Sequence, residues 1–375
     1  MFFDNASTTK VDDYIMSGLI EFNNEHFYNP GGLYVKGRES RDFLDKARTR
    51  ILKALNGDGN LVFVGSATEG NNLALFGSVK KHFKKILVSQ GEHPSIYNSA
   101  LELIQRGYSV EFVDLSANGQ VDFDDFKSKM TKDVALVSIM HTSNETGAVN
   151  DIASLVDYAK EVNPNVIFHS DGVQAVGKIE VDLEELGVDM YTMSAHKIYG
   201  FKGVGALYVS KKLALKPIVF GGGQESGLRS GTENLLGIYS LVEAVENAVN
   251  NQEQNYNYIA SLKERFLKGV EGSNLNYSVH SDADCSPYIV SISFMGCRAE
   301  TILNKLSDKG IFIGNGSACS SKKSGNRILD NMGVPKAEIE SNLRISFSKN
   351  NTIEEVDKLV IELVLAVKDY LLKVS

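Results

Sequence analysis

At 375 residues the chain exceeds what one hydrophobic core usually supports, so two domains are expected. With 43% hydrophobic, 9% aromatic and 23% charged residues, it has the composition of a globular protein rather than a disordered chain or a coiled coil. A formal net charge of -8 argues against direct nucleic-acid binding, which calls for clustered basic residues.

The chain opens Met1-Phe2-Phe3-Asp4-Asn5, with no basic region followed by an apolar stretch, so no secretory signal is expected. The first strong helical pattern covers 39–55, where Phe43, Leu44, Ala47, Ile51, Leu52 and Leu55 recur at helical spacing until Asn56-Gly57 stops it. Beyond it, short apolar runs at 61–64, 86–88, 110–113, 134–140, 166–168, 190–193 and 205–209 alternate with longer amphipathic stretches. That alternation predicts an α/β fold with a mostly parallel, buried sheet, placed at 15–250 as a large domain. From about residue 252 the texture changes to a polar helix at 254–271, a strand at 288–294, a helix from Ala299 and a strand at 343–347. Thr352 and Glu355 form a capping box that opens a final helix. Residues 251–375, joined by 1–14, are expected to form a smaller α+β domain. No run approaches the roughly 18 apolar residues of a membrane span, so a cytoplasmic protein without a membrane contact is expected.

In open α/β sheets, ligands bind beyond the carboxyl ends of the strands. Gly65-Ser66-Ala67-Thr68-Glu69-Gly70 follows the first run and offers small residues at a helix start, which suits a phosphate. Glu92-His93 follows the second run, and His141 to Gly147, including Asn144, follows the fourth. Asp171 and Gln174 follow the fifth, and Ser194-Ala195-His196-Lys197 the sixth. Singly, each has a plainer reading: His93 as a core histidine, Asp171 as a helix cap, Lys197 as a surface charge. Together they match the needs of pyridoxal 5'-phosphate (PLP). That cofactor requires a lysine for its Schiff base, an anion cradle for its phosphate and a carboxylate to keep its pyridine nitrogen protonated. A ring face to stack on it completes the set, and Lys197, Asp171 and His93 fit three of these tasks.

Ser194-Ala195-His196-Lys197-Ile198-Tyr199-Gly200, with Lys202 to Val209 after it, resembles the lysine motif of NifS/IscS-type cysteine desulfurases. These belong to the class V aminotransferase superfamily, PLP fold type I. The resemblance continues through Ala67-Thr68-Glu69 with Asn71-Asn72, Glu92-His93, Asn144-Glu145 and Asp171-Gly172-Val173-Gln174. It also takes in Asn29-Pro30, Arg229-Ser230-Gly231-Thr232-Glu233-Asn234, Gly316-Ser317-Ala318-Cys319 and Leu343-Arg344-Ile345-Ser346. Tyr34, where many relatives have histidine, and 322–325 after Cys319 depart from it. The resemblance implies that Lys197 carries the cofactor and moves protons at the substrate carbon, that Asp171 pairs with the pyridine nitrogen, and that His93 stacks on the ring. It further implies Gln174 and Asn144 at the ring oxygen, and Ala67, Thr68, Ser194 and His196 around the phosphate. Thr232 would reach in from the second subunit of a homodimer, Asn29 and Arg344 would bind substrate, and Arg344 would grip its carboxylate. No metal is implied.

Cys319 distinguishes among activities. It sits in Gly314-Asn315-Gly316-Ser317-Ala318-Cys319-Ser320-Ser321, too small and polar for a core, whereas a structural cysteine sits among apolar neighbours. The other two cysteines, Cys285 in a polar turn and Cys297 beside a strand, have no such context. The three together are too sparse for a disulfide framework or zinc pairs. A thiol is only a few per cent ionised at neutral pH, so Lys322, Lys323 or His93 is expected to activate Cys319. The expected reaction converts L-cysteine to L-alanine, leaving a persulfide on Cys319 for a sulfur acceptor such as an iron–sulfur scaffold or a tRNA-thiolation enzyme. The alternatives are another class V reaction, such as an aminotransferase or a selenocysteine or cysteine lyase, and a non-catalytic sulfur-carrier scaffold. Replacing Cys319 separates the first of these; failure to take up PLP would favour the second.

Overall fold

The computed structural model describes residues 1–80, 83–281, 284–315 and 326–374. Cys319, with the Lys322 and Lys323 expected to activate it, lies outside them. All seven apolar runs form strands of one sheet, in the spatial order Asn60–Val64, Gly205–Val209, Met190–Ser194, Ile167–Asp171, Val134–Ser138, Lys85–Ser89 and Ser109–Val113. Four of the six pairings are parallel; Gly205–Val209 runs antiparallel to both of its neighbours. Ile167–Asp171, Met190–Ser194 and Gly205–Val209 are buried along their whole length, as expected of a sheet covered on both faces, which is why such strands read as unbroken apolar runs.

One apolar cluster lies under the helices Asp13–His26, Val35–Ala54, Ile152–Val162 and Leu235–Asn250. A second lies under Ala67–Ser78 and Pro94–Gln105 on the other face of the sheet. The helix Asp13–His26 has no counterpart in the sequence reading. It buries only Ile15 and Phe22, too few to give a recurrent apolar stripe.

A separate three-stranded antiparallel sheet, Asn342–Ser346, Ile289–Phe294 and Tyr277–Val279, carries the third core. Gln252–Glu271 and Ile353–Val374 pack together over it. The reciprocal bonds of the capping box are present: Thr352 N–H to Glu355 Oε2 at 3.3 Å and Glu355 N–H to Thr352 Oγ1 at 3.2 Å. The first residues belong to this core, since Phe2–Phe3 pairs with Phe312–Ile313 and both Phe3 and Ala6 are buried in it. That attachment brings Ala6 and Ser7 to the carboxyl end of the large sheet.

Candidate active site

The strand ends converge on a cavity of about 710 Å³. Lys197 follows the strand Met190–Ser194 in a short 3-10 turn, and its Nζ donates to the carbonyls of Ala6 at 2.7 Å and Ser7 at 2.6 Å. An ammonium has three donors and no acceptor, so two backbone oxygens from the distant N-terminus fix its direction. Asp171 ends the neighbouring strand, paired in register with Thr192. Its Oδ1 accepts the Val173 N–H at 3.0 Å and its Oδ2 accepts the Asn71 side-chain amide at 2.8 Å.

His93 caps the helix Pro94–Gln105, its Nδ1 accepting the Ser95 N–H at 3.1 Å. That bond assigns the hydrogen of the neutral ring to Nε2. Burial pushes His93 below the usual histidine range; the carboxylate of Asp171 opposes this, while the charges of Lys197 and Arg327 add to it. The imidazole is therefore held neutral. Beside it, burial and the Asp171 charge push Glu92 well above the carboxylate range, although its Oε1 accepts the Met140 N–H at 2.6 Å.

At the helix Ala67–Ser78, the Ser66 side chain accepts the Glu69 N–H at 3.2 Å, while Glu69 Oε2 accepts the Gly65 N–H at 2.8 Å. The first N–H groups of a helix have no intrahelical acceptor, and Ala67 and Thr68 line the cavity. Gly205 lets this turn sit on the sheet: a Cβ there would stand 2.6 Å from the Met193 carbonyl oxygen and 3.2 Å from the Ala67 nitrogen. Glu69 also accepts from Arg229 Nε at 2.7 Å, which ties the segment carrying Thr232 to the helix start.

Residues 1–359 match the class-V aminotransferase family. The chain belongs to that family. Among its class-V relatives, cysteine desulfurase IscS 1 of Archaeoglobus fulgidus is 35% identical over 96% of this chain and 94% of its own length. Cysteine desulfurase IscS of Clostridium botulinum is 34% identical over 95% and 91%. Of the solved structures, a NifS-like protein superposes with a TM-score of 0.92 at 32% identity, covering 98% of this chain and 99% of the other. SspA in complex with cysteine superposes at 0.82 and 27% identity, covering 94% and 99%. The fold is the α/β, mostly parallel fold type I of PLP enzymes, the sheet as the apolar runs predicted and the fold type as the resemblance implied.

Of the class-V residues expected at the site, Ala67, Thr68, His93, Asn144, Asp171, Gln174, His196, Lys197 and Arg344 line the cavity. Ser194 lies just behind it, its buried Oγ without a hydrogen-bond partner among the described residues. Asn29 and Thr232 are exposed and do not line the cavity of their own chain. Burial, with the charge of Lys197, pushes His196 down to about 4. Arg344 is already held: Nη1 donates to the Asn144 carbonyl at 2.9 Å and Nη2 to Asp4 Oδ1 at 3.0 Å, with Glu145 Oε1 3.3 Å from Nη1. Cys297 is buried in the smaller core, where burial pushes its thiol up, in keeping with a packing role.

The donor set fits PLP. A fixed amine, a carboxylate with both oxygens oriented, a neutral imidazole and a helix start share one cavity, and Asn144 Oδ1 is buried there without a partner among the described residues. The sequence reading assigned no task to Asn71, Tyr97 or Arg327, which line the same cavity. Asn71 lies three residues after Thr68, one helical turn along the same face, a spacing that could have flagged it.

Proposed function

We propose that this chain is a PLP-dependent cysteine desulfurase that converts L-cysteine to L-alanine and passes the sulfur to Cys319 as a persulfide. The observation that carries this reading is the meeting of Lys197, Asp171 and His93 with the Ala67–Ser78 helix start in one cavity. The desulfurase names of the IscS relatives and the cysteine bound in the SspA complex support the substrate.

When bound, PLP supplies an electron sink that weakens bonds at the substrate α-carbon. Asp171, oriented by Asn71 and the Val173 N–H, would hold the proton at its pyridine nitrogen. The N–H groups of Ala67 and Thr68, with His196 and Ser194 behind them, would hold its phosphate. His93, held neutral, would stack on the ring without competing for the charge of Asp171. The Lys197 amine takes the proton from the α-carbon of cysteine and returns one in forming alanine. Arg344 orients the substrate carboxylate through its planar fork. The Cys319 thiolate attacks the substrate sulfur; the carbon–sulfur bond breaks and its electron pair leaves with the carbon. That carbon takes a proton, so cysteine and a thiol become alanine and a persulfide.

The functional unit is a cytoplasmic homodimer in which Thr232 completes the cavity of the other subunit, with an acceptor protein taking the persulfide sulfur. The free exposure of Leu33 at 85% and Phe220 at 81%, with Tyr34 and Val35 beside Leu33, supports a covered face. Incubating the PLP-loaded protein with cysteine and measuring alanine tests the activity. Cys319→Ala should keep the coloured cofactor and lose the persulfide; equal sulfide release by that variant would sink the mechanism.

A further inference from the structure

Lys178 is buried, and no carboxylate pairs with it among the described residues. Its Nζ donates to Gln174 Oε1, and the ring of Tyr288 lies 5.6 Å away. Burial, with the charges of Lys197 and Arg344 nearby, pushes the ammonium down to about 7. A lysine in such a place is costly, and an apolar side chain of similar length would pack there more cheaply. Its position therefore asks for a reason beyond stability.

The reason lies in the hydrogen-bond chain it begins. In its ammonium form Lys178 can only donate, and the atom of Gln174 that faces it is the amide oxygen. The Gln174 amide nitrogen then has to point the other way, where it donates to the Ala6 carbonyl at 2.8 Å. That carbonyl is the one that also accepts from Lys197. An amide nitrogen carries two hydrogens, and Gln174 lines the cavity, so the second is available to an acceptor on a ligand. Without Lys178 the amide oxygen loses the donor behind it, and the bond to the Ala6 carbonyl is left to hold the side chain.

We propose that Lys178 is a positioning residue that fixes the Gln174 side chain with its N–H toward the cavity, so that Gln174 recognises an acceptor oxygen of the bound cofactor. This rests on the PLP reading above. It assigns a task to a lysine that does not line the cavity and touches no reacting atom.

The test is a double-mutant cycle on PLP affinity, read by the absorbance of the bound cofactor in the full-length protein. Lys178→Met should weaken PLP binding about tenfold, the size of one net hydrogen bond, as should Gln174→Ala. In the Gln174→Ala background, Lys178→Met should cause no further loss, because its partner is gone. Equal loss in both backgrounds, or no loss in either, overturns the proposal. Circular dichroism and thermal unfolding confirm that each variant is folded, and Lys178→Leu replaces the methionine variant if that protein does not fold. A wild-type protein that takes up no PLP would instead defeat the underlying cofactor reading, so the two failures are distinct.

Discussion

Asn71 and Asp171 are joined by a buried hydrogen bond of 2.8 Å from the Asn71 amide to Asp171 Oδ2, across a hundred residues of sequence. Asn71 also donates to Ser95 Oγ at 2.9 Å, and that hydroxyl lies 2.8 Å from His93 Nδ1. One neutral side chain thus links the carboxylate expected at the pyridine nitrogen and the imidazole expected on the ring face. Asn71→Ala should cost roughly 1–3 kcal/mol of stability, because it leaves buried acceptors short of a donor. It should also weaken PLP binding by freeing the Asp171 carboxylate to rotate. Urea denaturation and a PLP titration measure the two effects, and a variant with unchanged affinity would deny Asn71 its role.

Acid should unfold the protein partly through His169. This residue is fully buried between Ser138 Oγ and Thr192 Oγ1, each at 2.9 Å, and burial pushes it from 6.5 down to about 3. Between those values the unfolded chain binds a proton that the folded chain refuses, so stability rises with pH across the interval and is lost as pH falls through it. His141, pushed down to about 4, acts in the same direction. Glu92, raised by burial, acts in the opposite one, because the folded chain holds its proton more tightly. The difference between wild type and His169→Gln isolates the histidine. Unfolding free energies measured from pH 3 to 7 should show a shallower slope in the variant, and an identical slope would refute the assignment.

The seven strands were legible because a sheet buried on both faces demands unbroken apolar runs, and five of the strand ends announced Thr68, His93, Asn144, Asp171 and Lys197 by position. The tertiary partners were not legible in the same way. Asn71 is marked only by its helical spacing from Thr68, and Lys178 by nothing, since a lysine acquires a task only from what folds against it. The N-terminal carbonyls of Ala6 and Ser7 are invisible to any reading of side chains, yet they set the direction of Lys197. The helix Asp13–His26 escaped for a related reason: with Tyr14, Met16 and Ile20 exposed, its apolar residues do not follow one buried face.

Arg344→Lys should separate substrate binding from cofactor binding. Lysine keeps the charge but loses the planar fork that now spans the Asn144 carbonyl and Asp4. KM for cysteine should rise about tenfold or more, the scale of one lost charge-assisted hydrogen bond, while PLP affinity holds. Steady-state kinetics beside a PLP titration check this. Loss of PLP affinity in parallel with KM would place Arg344 in the cofactor site or the fold instead.

Arg327 should tune the acid limb of the reaction. Its guanidinium lies 3.9 Å from the centre of the Tyr97 ring, and Nη2 donates to the Glu92 carbonyl at 2.6 Å. Nη1 is buried without a hydrogen-bond partner among the described residues, and the charge of the cation reaches His93. Its charge adds to the burial that holds His93 below the usual range. Arg327→Met should therefore raise the His93 pKa, because removing a nearby cation favours the protonated ring. If turnover needs the neutral imidazole, the acid limb of kcat/KM moves to higher pH in that variant. Tyr97→Leu removes the stacking surface but leaves the charge, so it should move the limb less. A profile in Arg327→Met that superposes on wild type would mean that the acid limb belongs to a group other than His93.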